Sequence, residues 1–273
     1  EPWAYRNKMQ MPVGGTKGDI QMGFYAMGSH DIVQGTNCPI QDEGNNIIAQ
    51  ACYQIAKEFD IEPYDEHTGK GVLRHIIGRI GQSGWMIILV TATEQLPHKE
   101  KWVEKLTERI PQVETIVHNV NGKRTNVILG PKNNILYGDG TITDHIKDLQ
   151  FTLSPHSFFQ VNPEQTTVLY DQALAYADLK GDETVIDAYC GTGTISLFLA
   201  HKAKHVIGIE IVEPAIINAR ENARRNGYDN TEFIVADAAV EMPKLYKAGV
   251  RPDVIVFDPI RAGCKEEVLT SAA

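Results

Sequence analysis

Two acidic residues and two glycines stand where predicted strands end in the second half of the chain. The strand VID ends at Asp187 and leads into a turn with Gly191 and Gly193, and the strand HVIGIE ends at Glu210. A carboxylate beside the turn would repel a pyrophosphate, and the turn lacks the third glycine of the dinucleotide fingerprint. The pattern favours a cationic, hydroxyl-rich ligand, such as a methyl donor with a sulfonium centre and a ribose. Helix capping or solvent exposure is the alternative for Asp187 and Glu210.

Two further polar residues could extend this site. Asp237 ends the next predicted strand, where its carboxylate could accept a hydrogen bond from an adenine amino group. Glu210 could accept hydrogen bonds from the ribose hydroxyls in the same way. Gln160 precedes a helix that Asn162 and Pro163 are expected to begin. Its amide can donate and accept at once, which suits the edge of a base or the donor's carboxylate and amine. A buried glutamine bonded to backbone is the alternative.

The segment FDPIRAG, residues 257–263, adds a carboxylate at the end of a fourth strand. An Asp-Pro turn projects Asp258 toward the same cleft. Methylases that act on exocyclic amino groups carry Asn or Asp followed by two prolines and an aromatic residue, whose ring stacks on the base. Arg261 stands in the aromatic position, so the sequence disfavours an amine-directed methylase.

The order of elements after residue 182 predicts the sheet that would bring these residues together. Four strands, VIDAY, HVIGIE, TEFIVAD and DVIVFD, occur with the helices TISLFLAHKA and EPAIINARENARRNG. Strands alternating with helices form parallel βαβ units, and ligands bind beyond the carboxyl ends of such strands. We therefore predict a Rossmann-like α/β domain with a doubly wound, mainly parallel sheet over residues 151–273.

Residues 1–150 are organised differently. Apolar residues at helical spacing predict a helix over 42–60, with Cys52 on its buried face. Two strand-like runs, GVLRHIIGRI and GWMIILVTA, are joined by a GQSG turn and followed by a charged helix and two more strands. This order predicts a smaller α+β domain.

Composition restricts the location and partners of the chain. The 273 residues carry a net charge of −9, so any nucleic-acid contact should be local. No apolar run is long enough to span a membrane. The four cysteines have no CxxC spacing and no disulfide framework, which favours a reducing cytoplasm.

Several motifs in order resemble the S-adenosylmethionine-dependent RNA uracil-C5 methyltransferases. These are SFFQVNPEQ, VIDAYCGTGTISLFLA, VIGIEIVEPAIINARENARRNG and VFDPIRAG, and YRNKMQMPVG, MGFYAMGSHDIV, NCPIQ, LRHIIGR and NVILG resemble that family's central domain. The resemblance implies a donor site formed by Gln160, Asp187, Gly191, Gly193, Glu210 and Asp237. It implies that Asp258, with Gln160, contacts the uracil, although Ile260 replaces the usual Pro or Ala.

In this family a cysteine thiolate adds to C6 of uracil, which activates C5 for methylation, and a carboxylate removes the C5 proton. The family's cysteine and glutamate follow later than Asp258, beyond this sequence. We therefore expect the chain to be an RNA (uracil-5-)-methyltransferase fragment that is inactive alone. Cys264 as a substitute nucleophile is the less favoured interpretation, and a non-catalytic RNA-binding or cofactor-binding module is the alternative function. A nucleotide-dependent dehydrogenase is a further competing class.

The resemblance also bears on metal and substrate. Members that modify ribosomal RNA hold a [4Fe–4S] cluster whose fourth ligand comes from a CPI stretch like that beginning at Cys38. One cysteine cannot hold a cluster, so this chain alone should not assemble it. The stretch favours 23S ribosomal RNA as the partner, with tRNA as the alternative.

Overall fold

A computed structural model describes residues 2–259 and 261–272, which divide into two compact units between Asp144 and His145. The boundary expected at residue 150 falls inside a strand, Leu149–Leu153. No helix in the described ranges has the length and apolar character needed to cross a membrane.

Within residues 2–144, seven strands form one sheet with two helices. The elements are β1 (Lys8–Thr16), β2 (Asp19–Tyr25), β3 (Ile32–Gln34), α1 (Glu43–Glu58), β4 (Leu73–Ile80), β5 (Trp85–Thr91), α2 (Lys99–Arg109), β6 (Val113–Val120) and β7 (Lys132–Tyr137). Their order in the sheet is β3-β2-β1-β4-β5-β6-β7. Only the β5–β6 pair is parallel among these, because α2 supplies the crossover between them.

The helix predicted over 42–60 is α1, which Asp42 caps by accepting a hydrogen bond from the Gly44 amide at 2.8 Å. Cys52 lies fully buried on its core face, as predicted. The sequence pattern does not predict β1 to β3. Pro12 and two glycines lower the strand propensity of β1, but Pro12 lies where β1 changes its pairing partner from β4 to β2.

Within residues 145–259 and 261–272, four strands form a parallel sheet of order β12-β11-β10-β13. Its elements are α3 (Pro163–Ala177), β10 (Thr184–Asp187), α4 (Thr194–Ala200), β11 (His205–Glu210), α5 (Glu213–Arg225), β12 (Thr231–Val235), α6 (Ala238–Lys247), β13 (Val254–Val256) and α7 (Glu266–Ala272). A separate hairpin joins β8 (Ile142–Ile146), which contains the boundary between the units, to β9 (Leu149–Leu153). The predicted parallel α/β sheet is confirmed.

One helix of this unit is not predicted by the sequence pattern. The segment between β12 and β13 is α6, although Pro243 lies inside it. An interior proline removes a helical hydrogen bond, so the segment has a weak helical pattern in the sequence. Packing of Ala238 and Met242 into the core beneath the sheet compensates for this loss.

Candidate functional site

Four acidic residues follow or end four adjacent strands at one edge of the parallel sheet. Asp237 follows β12, Glu210 ends β11, Asp187 ends β10, and Asp258 follows β13. Because the strands are parallel, their carboxyl ends meet at the same edge. The structure therefore brings together the four carboxylates that the sequence analysis selected.

Asp187 is fully buried at the base of this edge. Its Oδ2 atom accepts a hydrogen bond of 2.6 Å from the Ser196 hydroxyl in α4. Burial raises the pKa of Asp187 to about 6, although the bond from Ser196 opposes this shift. The carboxylate thus connects the end of β10 to α4, the helix that follows the glycine turn. The sequence pattern does not predict this contact.

The two glycines of the turn serve different purposes. Both have positive φ, 54° at Gly191 and 81° at Gly193, a conformation that glycine adopts at little cost. A Cβ atom on Gly193 would lie 3.1 Å from Ala219 and from the Phe233 ring, so the missing side chain permits close packing. At Gly191, no described atom outside the residue and its two chain neighbours lies within 4 Å of that position. Gly191 therefore leaves open space at the edge of the sheet.

Glu210 connects the turn to the end of β11. Its Oε2 accepts from the Gly191 amide at 3.3 Å, and its Oε1 accepts from the Val212 amide at 2.9 Å. Each carboxylate oxygen retains a lone pair for another donor, such as a ribose hydroxyl. Ile211 and Val212, next in sequence, expose 64% and 52% of their surface, so an apolar patch adjoins the acid.

Asp237 caps α6, since its Oδ1 accepts from the Ala239 amide at 3.0 Å. Its Oδ2 atom accepts from Lys265 Nζ at 2.6 Å. The bond to Lys265 and the bond from the Ala239 amide lower the pKa of Asp237. A ligand at this position would share the carboxylate with a helix cap and an ammonium group.

Gln160 and Asp258 lie together, although they are far apart in the sequence. Gln160 Nε2 donates to Asp258 Oδ2 over 3.4 Å. Asn162, predicted as the cap of α3, accepts from the Gln165 amide at 3.1 Å and so orients the segment that carries Gln160. The two residues that the sequence analysis assigns to base contacts therefore form one pair.

Tyr170 is a neighbour that the sequence analysis missed. It is almost fully buried in α3, and its hydroxyl lies 2.9 Å from Thr194 Oγ1 at the start of α4. Burial raises the pKa of Tyr170 to about 12, and the charges of Asp258 and Asp187 raise it further. The position of Tyr170 in the helical pattern of apolar residues indicates a core residue. Only its hydroxyl group distinguishes it from other core side chains.

None of the buried thiols is prepared for nucleophilic attack. Burial raises the pKa of Cys190 in the glycine turn, and the charges of Asp187 and Glu210 raise it further. Burial alone raises the pKa of Cys52. Cys264 packs at the margin of the cluster beneath the sheet and adjoins the Tyr189 hydroxyl. Burial raises the pKa of Tyr189, and the contact with Cys264 raises it further.

Cys38 lies in the N-terminal unit, where its amide and carbonyl bond to the side chain of Asn46. Across the described residues, no group of three or more His, Cys, Asp or Glu side chains is arranged to hold a metal ion. The residues present here therefore do not fit an iron–sulfur cluster. Ile260, the departure in the DPIR motif, lies outside the described residues.

Comparison with protein-family models matches residues 179–271 to a methyltransferase domain. This range contains Asp187, the glycine turn, Glu210, Asp237 and Asp258. Residues 179–271 thus resemble methyltransferase domains in sequence. The Rossmann-like fold predicted for this part of the chain is thereby confirmed.

Relatives extend the similarity beyond the methyltransferase domain. A protein of Halalkalibacterium halodurans named an uncharacterized RNA methyltransferase is 52% identical over 271 residues, 98% of this chain and 59% of that protein. A protein of Clostridium acetobutylicum with the same description is 50% identical over 277 residues. The chain spans about 60% of the length of these relatives.

Among solved structures, a Pyrococcus abyssi tRNA (uracil-54, C5)-methyltransferase in complex with S-adenosyl-L-homocysteine superposes with a TM-score of 0.80 at 24% identity. The match covers 99% of this chain and 64% of that one, and at this identity it establishes the fold. Together the comparisons confirm the resemblance to RNA methyltransferases.

Proposed function

We propose that the chain is the cofactor-binding and base-binding part of an S-adenosylmethionine-dependent enzyme that methylates C5 of uridine in RNA. The observation that carries this proposal is the Gln160–Asp258 pair, at the same sheet edge as the open space at Gly191 and the Glu210 carboxylate. The relatives named RNA methyltransferases support the RNA substrate.

The methyl donor fits the edge formed by β10, β11 and β12. Glu210 would accept from the ribose hydroxyls, and the exposed Ile211 would lie against the adenine ring. Asp237 would accept from the adenine amino group, while the open face of Gly191 admits the donor close to the backbone. Asp187 would contribute negative charge from beneath the turn and hold the turn in place through Ser196. When bound, S-adenosylmethionine supplies an electrophilic methyl group on a sulfonium.

The pair of Gln160 and Asp258 matches the edge of uracil. Uracil presents an N3–H donor next to the O4 acceptor, and here a carboxylate acceptor lies beside an amide donor. Asp258 would accept from N3–H, and Gln160 would donate to O4. Cytosine carries an acceptor at N3 and a donor at N4, so the same pair would reject it.

C5 of uracil needs activation by a nucleophile at C6 before it attacks a methyl group. Burial argues against Cys190 in this function, and no described residue other than Cys264 offers a partly exposed thiol in the C-terminal unit. Our proposal therefore takes the thiolate from a cysteine outside the described residues. RNA containing 5-fluorouridine would trap such an adduct, and an adduct formed by this chain but not by Cys264→Ala would assign the function to Cys264 instead.

Calorimetric titration with S-adenosylhomocysteine tests the cofactor assignment. We expect binding that Glu210→Ala abolishes and that NAD cannot replace. Preference for NAD would indicate a dehydrogenase and would refute the proposal. Binding of RNA without binding of S-adenosylhomocysteine would instead indicate an RNA-binding module.

Mass spectrometry of RNA from cells with and without the full-length protein tests the product. In cells that lack the protein, we expect a uridine of 23S ribosomal RNA to be without its C5 methyl group. Loss of the methyl group from tRNA instead would identify the alternative substrate. A missing methyl group on adenine or guanine would contradict the uracil assignment.

Cys38 would supply at most one thiolate to a cluster, so the iron–sulfur proposal requires three more from outside the described residues.

A further inference from the structure

The N-terminal unit contains a cavity of about 340 Å³ that the proposed methyl transfer does not use. It lies between the β1–β2 hairpin and the segment that precedes β4. Its wall includes Gln21, Tyr25, His30, Glu66 and Arg74. The volume is at the lower end of the range for small-ligand pockets, about 300–1,000 Å³, which suits a single base or nucleoside.

Two rings on this wall form a rigid platform. The rings of Tyr25 and His30 are stacked with centroids 4.6 Å apart and planes inclined by 11°. Glu66 holds both, because its Oε1 accepts from the Tyr25 hydroxyl at 3.2 Å and its Oε2 lies 2.5 Å from His30 Nδ1. We call this arrangement of Tyr25 and His30, with the Glu66 carboxylate, the aromatic platform.

The protonation states of the platform are suited to recognition of a donor. Partial burial raises the pKa of Tyr25 to about 12, and the charge of Glu66 reinforces the shift. Partial burial opposes ionisation of Glu66, but the hydrogen bond and the charge of His30 outweigh it and lower the pKa. At neutral pH Glu66 is therefore a carboxylate, and each of its oxygens keeps a lone pair for a further donor.

The cavity is poorly suited to a phosphate group. The guanidinium of Arg74 is buried and donates through Nη1 to the carbonyls of Asn121 at 2.6 Å and Lys123 at 2.7 Å. It also stacks on Tyr64, with its central carbon 4.4 Å from the ring centroid. The same wall carries the carboxylates of Asp31, Asp65 and Glu66. A ligand would be recognised here through its own aromatic ring and amino group, and not through a phosphate.

We propose that this cavity binds one unpaired base of the RNA substrate that carries an exocyclic amino group, stacked on the aromatic platform and donating to Glu66. This inference rests on the proposed function, which supplies the RNA. Proteins commonly read single-stranded RNA by stacking splayed bases on Phe, Tyr, Trp or His and bonding their edges. Cytosine, adenine or guanine would fit, whereas uracil has no amino group to donate.

Fluorescence anisotropy with labelled oligocytidine and oligouridine of about 12 nucleotides tests the inference on the 273-residue chain. These polymers share a pyrimidine ring and differ in the amino group. The Gln160–Asp258 pair would favour uridine to the same extent in the native chain and in variants of the platform, so the informative quantity is the ratio of oligocytidine to oligouridine affinity in each protein. We expect His30→Ala to lose about tenfold in affinity for oligocytidine, because the half-exposed ring contributes stacking. Glu66→Gln should lower this ratio, since an amide can donate to O4 of uracil. Tyr137→Ala, at an exposed aromatic residue of the same unit, should change neither affinity.

An unchanged ratio of affinities in Glu66→Gln, or an unchanged affinity for oligocytidine in His30→Ala, would overturn the inference. Failure of the chain to bind either polymer would also overturn it. Titration with S-adenosylhomocysteine in the same samples separates this outcome from failure of the proposed function, because cofactor binding does not involve the platform. Unchanged thermal unfolding of His30→Ala would show that a loss of affinity does not reflect misfolding.

Discussion

The Ser196 hydroxyl donates a hydrogen bond of 2.6 Å to the carboxylate of Asp187, which is fully buried beneath the glycine turn. A buried acid with a single hydroxyl donor from a side chain is costly to ionise, which is why its pKa rises to about 6. This relationship makes the stability of the C-terminal unit dependent on pH.

Asp187→Asn should remove that dependence. Because the folded pKa is raised above the unfolded value, the folded state binds more protons, and Asp187 contributes stability that is full below about pH 4. This contribution is lost as pH rises through about 6. The free energy of unfolding of the native chain, relative to the variant, should therefore fall by up to about 3 kcal/mol between pH 4 and pH 7. Urea unfolding across this range measures it, and parallel curves for both proteins would contradict the prediction.

Alanine at the two glycines should separate packing from ligand access. Gly193→Ala places a methyl group 3.1 Å from Phe233 at a positive φ, so we expect a loss of about 2 kcal/mol in unfolding free energy. Gly191→Ala meets open space and should cost about 1 kcal/mol through backbone strain alone. The methyl group at Gly191 would project into the proposed cofactor space, so S-adenosylhomocysteine affinity should fall markedly. Unchanged affinity in a folded Gly191→Ala protein would place the cofactor elsewhere.

Glu210→Gln should weaken binding of S-adenosylhomocysteine by about tenfold or more, because a charged acceptor for ribose hydroxyls is lost. Glu213→Gln, which removes an exposed charge from the first turn of α5, is the matched control and should bind normally. Isothermal titration compares the two variants. Equal weakening in both would mean that overall charge, not contact with the ribose, determines affinity.

Asp237 has two measurable contributions. Asp237→Ala removes the cap of α6 and should cost about 1 kcal/mol of stability, whereas Asp237→Asn retains a good capping residue and should cost less. Both variants lose the charge that Lys265 contacts, and both should weaken binding of the adenosyl ligand. Thermal unfolding and ligand titration on the same samples distinguish these effects. Normal affinity in Asp237→Asn would assign Asp237 to capping alone.

Local patterns in the sequence predict a large part of this architecture. Alternation of short apolar strands with helices predicts the parallel sheet, and parallel strands place their carboxyl ends at one edge whatever the details of packing. The cap at Asn162 is a short-range backbone effect and is confirmed. By contrast, α6 forms because its packing beneath the sheet compensates for the hydrogen bond that Pro243 removes. The sequence pattern alone does not predict this helix.

Residue identities and their order along the chain therefore determine that acids follow adjacent strands and that a glycine turn lies between β10 and α4. Only the tertiary structure decides that Asp187 is sealed from solvent, that Glu210 is bonded to the turn, and that Gln160 lies beside Asp258. The physical reason is the distance along the chain over which each effect acts. Periodicity, caps and turns act over a few residues, whereas burial and the meeting of distant side chains arise once the whole unit is packed.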